Sequence, residues 1–157
     1  MGFARGRLLV LLVLAVLAVG AGLLIYDRFL AVPPERSGAE RLALGRALYD
    51  AHCAACHGAD LEGEANWRQR KPDGLLPAPP HDETGHTWHH PDQQLFFMTK
   101  FGTAALLGAD YETVMTGFGD RLDDGEIRAV LAYIKSRWPE NIRRRQAEIS
   151  ARAAQGQ

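Results

Sequence analysis

Between Gly58 and Pro91 the chain is dense in Gly, Pro, His and Asp and shows no sustained hydrophobic period. A stretch of this length without secondary structure is uncommon inside a compact domain, because it offers too few apolar side chains to build a core beneath itself. The segments on both sides are regular and helical in pattern. Something other than the chain's own side chains must therefore fill the space under this loop. Composition favours a folded protein: 46% of the 157 residues are hydrophobic and 24% are charged, outside the range of disordered or collagen-like chains.

The flanking helices can be placed from their caps. Ser37-Gly38-Ala39-Glu40 has the form of a capping box, Ser followed three residues on by Glu. The helix it opens carries Leu42, Gly45 and Tyr49 on one side and is expected to run to about Ala54. Pro91-Asp92 opens a second helix through Leu95, Phe96, Met98 and Phe101, stopping at Gly102. A short helix is expected around Ala109–Val114. Asp123 caps a further helix ahead of Glu126, with Ile127, Val130, Leu131 and Ile134 at i, i+3, i+4, i+7. Trp138-Pro139 ends or kinks it. Residues 140–157 are polar, basic and helix-prone. No strand alternation and no internal repeat is evident, so the fold class is all-α.

Cys53-Ala54-Ala55-Cys56-His57 supplies the missing core element. C-x-x-C-H is the attachment signature for haem c. On one helical turn, cysteines three apart face the same way, so each thiol can add to one porphyrin vinyl group. The adjacent His57 then meets the iron from the same side. Other uses of the pair are weaker. A redox dithiol of the thioredoxin type needs a βαβ pattern, which is absent. A zinc site needs a fourth ligand, which only the histidine-rich loop could provide. A disulfide across three residues is geometrically poor.

With these residues in place the chain resembles the class I, monohaem cytochrome c family over roughly residues 37–139. Gly45 and Tyr49 stand before Cys53 where that family has a helix-crossing glycine and aromatic, and Val130 and Tyr133 stand where it has their partners on the last helix. The resemblance implies a few helices around one covalent haem c, held by Cys53 and Cys56 with His57 on the iron. It also implies a methionine as second axial ligand. Met115, just upstream of the last helix and followed by Phe118, matches that place, although Thr116 stands where proline is usual. Met98 reads instead as filler on an apolar helix face. Ala78-Pro79-Pro80-His81 matches the loop whose proline carbonyl accepts the axial imidazole N–H. Pro79 is the choice, with Pro80 as the alternative and His81 in place of the usual leucine.

The loop also holds His81, His86, His89 and His90 around Trp88. One reading makes His86 with His89 or His90 a second metal site, for copper. The plainer reading has Trp88 and one His cover the haem and bond its propionates.

The N-terminus sets the compartment. Residues 1–7 carry Arg5 and Arg7, and residues 8–26 carry no charge. As a helix that run spans about 28 Å, close to a bilayer's hydrocarbon thickness. It reads as a transmembrane anchor, with cleavage as a secretory signal after Ala18-Val19-Gly20 as the competing reading. Arg5 and Arg7 place the short N-terminus in the cytoplasm. A linker over residues 27–36, with Pro33-Pro34, then leads to a cytochrome domain over 37–139 on the periplasmic side of a bacterial inner membrane, and to a basic tail over 140–157. Residues 31–134 hold nine Lys or Arg against sixteen Asp or Glu, which argues against a nucleic-acid partner.

The expected function is one-electron transfer between redox partner proteins, without chemistry on a substrate. The rivals are the cytochrome subunit of a membrane dehydrogenase, an open-haem redox enzyme or sensor, and a copper-handling protein using the histidine loop.

Overall fold

The computed structural model describes residues 2–25, 36–108 and 110–156. The expected linker, residues 27–36, lies almost wholly outside them, as does Ala109. The chain divides into two units, Met1–Glu35 and Arg36–Gln157. In the first, α1 spans Gly2–Ile25. Its described side chains are those of Arg7 and residues 12–23. They are exposed, with Leu12, Val16 and Leu23 at 55, 70 and 63%. Among the described residues no helix is long and apolar enough to cross a membrane.

The second unit is helical, as expected: α2 (Gly38–His52), α3 (Ala54–His57), α4 (Asp92–Phe101), α5 (Ala104–Leu107), α6 (Asp124–Ser136) and α7 (Glu140–Ala154), with a 3₁₀ turn at Thr87–His89. Both capping boxes form. Ser37 Oγ accepts from Glu40 N–H and Asp123 Oδ1 from Glu126 N–H, while each Glu reaches back to the capping residue's own N–H.

The core is the crossing of α2 over α6. Tyr49, Ile127, Ala129, Val130, Tyr133 and Ile134 are buried there, and the Tyr49 and Tyr133 rings lie 5.5 Å apart. Gly45 is buried at the crossing, but Leu42 is 37% exposed and does not share that burial. Leu131 is half-buried.

Two boundaries differ from expectation. α2 stops at His52 because Cys53, at φ −119°, breaks the helix before α3 begins. The short helix expected at Ala109–Val114 is absent over its described residues. A helical turn lies earlier, at Ala104–Leu107, where good helix formers follow one another and Gly108, at φ +109°, closes the turn.

The basic tail is part of the domain. Trp138 is buried, and α7 starts at once beyond Pro139 and packs along the 3₁₀ turn. Gln146 is fully buried, and its Nε2 donates to His90 O (3.2 Å) and Asp92 Oδ1 (2.7 Å). Ser150 Oγ accepts from Asp92 N–H (3.0 Å), and Lys135 Nζ reaches Asp92 Oδ1 (2.7 Å). Asp92 thus ties α4, α6 and α7 together. Burial pushes its pKa up, but bonds from Lys135, Gln146 and Ser150 outweigh that and hold it below the usual value. A depressed native pKa contributes stability above the ordinary aspartate pKa of about 4, and this is lost as pH falls through the lower native value. Asp92→Asn is therefore expected to lower the unfolding midpoint at pH 7, with the gap to wild type closing in acid below about pH 4. Equal midpoints at pH 7 would show that α7 is held by other contacts.

Candidate haem site

The Cys–His turn follows directly from the end of α2. Cys53 N–H donates to Tyr49 O (2.8 Å), so the α2 register carries into the motif. The next turn closes when His57 N–H donates to Cys53 O (2.9 Å). Tyr49 Oη donates to Gly58 O (2.8 Å), fastening the far end of the turn to the core. Cys53 is half-buried and Cys56 exposed, and both thiols are free. Burial, then the neighbouring Cys56, pushes the Cys53 thiol up to about 11.

His57 is buried, at 8% exposure, and its Nδ1 lies 2.8 Å from Pro79 O. A carbonyl can only accept, so Nδ1 carries the proton and Nε2 keeps a lone pair for a metal. Burial pushes the imidazole pKa down, against the opposing effects of the Pro79 bond and Glu64. The structure thus brings together His57 and Pro79, while Pro80 O accepts from Thr87 Oγ1 instead (3.4 Å).

The loop is held so that Pro79 stays in reach. Glu64 N–H donates to Ala78 O (2.9 Å), and Ala78 N–H donates to Glu64 Oε2 (2.6 Å). This bond and Lys71 hold the Glu64 carboxyl below the usual range. Gly63 sits against the same segment at φ +68°, and a Cβ there would lie 2.5 Å from Pro80 N. Leu61, at φ +69°, is a strained non-glycine residue that burial to 1% exposure keeps in place; its carbonyl accepts from His81 N–H (2.7 Å).

Met115 is half-buried in the segment before α6. Its N–H donates to Thr113 Oγ1 (3.0 Å) and its carbonyl accepts from Thr103 N–H (3.3 Å). Thr116 pairs with Gly102 in an isolated bridge. That pairing restrains the backbone at the place where the family's proline is lacking. Met98 is half-buried on α4.

The histidines of the loop take different partners. His86 stacks on Trp67 (5.4 Å, 13°) and meets His90 edge-on (5.4 Å), whereas His89 stacks on Trp88 (3.7 Å). Among the described residues no group of three or more His, Cys, Asp or Glu side chains is gathered as a metal cluster. Trp88 packs against the core, and its indole N–H donates to Glu83 O (3.3 Å). A bond from Trp88 to a haem propionate would have to compete with that contact.

Sequence reasoning missed Thr87 and Trp138. Thr87 is buried, with its Oγ1 2.7 Å from His81 Nδ1, and Trp138 Nε1 donates to His81 O (2.7 Å). The available signal was weak: a buried tryptophan needs a partner for its N–H, but nothing in the sequence names the acceptor.

The family model for cytochrome c matches residues 42–138. The chain belongs to the cytochrome c family. Comparison with curated proteins and with solved structures gave no match. The family implies a covalently bound haem c, and the site of this cytochrome c fits one. Two unpaired thiols stand a helical turn apart, and the histidine beside them presents an unprotonated Nε2. Cys53 and Cys56 would hold the porphyrin through thioether bonds and His57 would hold the iron. When bound, the haem supplies a single electron site cycling between Fe(II) and Fe(III). The chain's own residues fix the His57 ring through Pro79 and hold the Pro79 segment in place through Glu64 and Leu61.

Proposed function

We propose that this cytochrome c is a membrane-anchored one-electron carrier, with His57 and Met115 as axial ligands and its domain on the periplasmic side of a bacterial inner membrane. The observation that carries the reading is the His57 Nδ1···Pro79 O bond, which directs Nε2 to a metal and raises its basicity. Met115 is supported as the partner ligand by its position ahead of α6 and by the backbone bonds that restrain it on both sides. A thioether on the sixth position closes the iron to small ligands, which suits a shuttle of electrons between protein partners. The optical spectrum of the ferric holoprotein tests this. The weak far-red band of methionine sulfur on ferric haem is expected in wild type and absent from Met115→Ala. Its absence from folded wild type at neutral pH would favour an open iron and the enzyme or sensor reading.

The anchor is supported by the exposure of the described apolar side chains of α1 and by Arg5 and Arg7 near its start. Holoprotein extracted from membranes is expected to have an intact mass that includes residues 1–20. A mass beginning near Ala21 would establish a cleaved leader instead.

A further inference from the structure

The ring of His57 is restrained twice. Pro79 O takes its Nδ1 proton, and the His81 imidazole lies against its face, with centroids 3.9 Å apart and planes 22° from parallel. The first contact fixes one corner of the ring and leaves it free to tilt about the Nδ1···O line. The second opposes that tilt, because tilting would separate the stacked faces.

His81 is itself pinned. Its N–H donates to Leu61 O (2.7 Å), and its carbonyl accepts from Trp138 Nε1 (2.7 Å). Its Nδ1 is hydrogen-bonded to Thr87 Oγ1 (2.7 Å), which also lies 3.4 Å from Pro80 O. The Tyr49 ring meets it edge-on at 6.4 Å. A leucine at this place, as in the family pattern, would fill the volume but would present no plane.

We infer that His81 is a positioning residue that sets the plane of the His57 imidazole, with Thr87 holding His81 in register. The inference rests on His57 as the iron ligand. The orientation of an axial imidazole decides which iron d orbital overlaps its π system. It therefore sets the magnetic anisotropy of ferric haem and contributes to the reduction potential.

The test uses the ferric holoprotein and two readouts, the haem-methyl proton shifts and the reduction potential. His81→Leu is expected to redistribute and broaden the haem-methyl resonances and to move the potential. His81→Phe, which restores a stacked plane without the Nδ1 hydrogen bond, is expected to return the shifts towards wild type. Spectra and potential of His81→Leu that superimpose on wild type would overturn the role. Should His81→Leu fail to mature, Thr87→Val decides. It keeps the ring and removes its Nδ1 partner, so it should shift the same resonances in the same direction by less, and no shift would overturn the role. His57→Ala separates this from the ligand assignment. Retention of the wild-type low-spin spectrum in that variant would sink the ligand, whereas its loss alongside a silent His81→Leu would sink His81 alone.

Discussion

Gly45→Ala is expected to destabilise the domain by about 3 kcal/mol, the upper end of the usual cost of overpacking. An added Cβ would lie 2.0 Å from Ala129 O, 2.6 Å from Ala129 C and 3.0 Å from Tyr133 Cβ. The two nearest atoms are backbone of α6, so no rotamer change relieves the clash, and the helices must move apart. Helix propensity acts the other way and favours Ala by about 1 kcal/mol, which is too small to compensate. Gly38 provides the control. It lies in the same helix with nothing within 4 Å of an added Cβ, so Gly38→Ala should leave stability unchanged or raise it slightly. Chemical denaturation of the two holoproteins, followed by helical circular dichroism, measures the difference. A Gly45→Ala midpoint equal to that of wild type would mean that α2 and α6 do not cross as closely as described.

The contrast between these glycines shows what was legible in the sequence. Gly45 could be assigned to a helix crossing because it and Tyr49 stand before Cys53 where the cytochrome c family has its crossing glycine and aromatic. The caps at Ser37 and Asp123 were legible from the residues alone: a capping box is a local contact between residues three apart, so its partners stand side by side in the sequence. The start of α4 at Asp92 and its stop at Gly102 were likewise local.

What depended on long-range polar contacts was not legible. Residues 140–157 look like a solvated basic helix, yet Gln146 is buried against Asp92 and His90. A glutamine in a polar stretch carries no hydrophobic signature, so its burial shows only once its partners, more than fifty residues away in the chain, are placed. Two of the arginines are likewise committed. Arg143 pairs with Glu140, and Arg145 lies 5.2 Å from the Trp88 ring centre. The His57–His81 stack was hidden in the same way. The loop pattern placed Pro79 beside the axial histidine but gave no sign that the histidine two residues on would lie flat against it. The misplaced short helix has a different cause. Gly102 and Gly108 bracket only a single turn, and propensity over so few residues is too weak a signal to fix its place.

Replacing both cysteines, Cys53→Ser with Cys56→Ser, should leave no haem bound after acid–acetone extraction, whereas wild type should retain essentially all of it. The substitutions remove only the two thiols. Serine is close in size, Cys56 is exposed, and the hydrogen bonds that shape the turn, Cys53 N–H to Tyr49 O and His57 N–H to Cys53 O, are made by backbone. The turn and His57 should therefore survive, and any haem that remains would be held by coordination, which acid breaks by protonating the imidazole. Each single variant keeps one possible link. Cys53→Ser should strongly reduce the yield of covalent holoprotein, and the vinyl left unreacted should move the absorption of the reduced pyridine complex to longer wavelength than wild type. Cys53 is the half-buried thiol of the pair, and burial pushes its pKa up to about 11. At neutral pH it is a thiol, well suited to add across a vinyl group and poorly suited to act as a redox dithiol, which needs a stabilised thiolate. Haem that resists extraction from the double variant would place the attachment elsewhere. Wild type that yields free haem, together with a reversible Cys53–Cys56 disulfide, would instead support the dithiol reading.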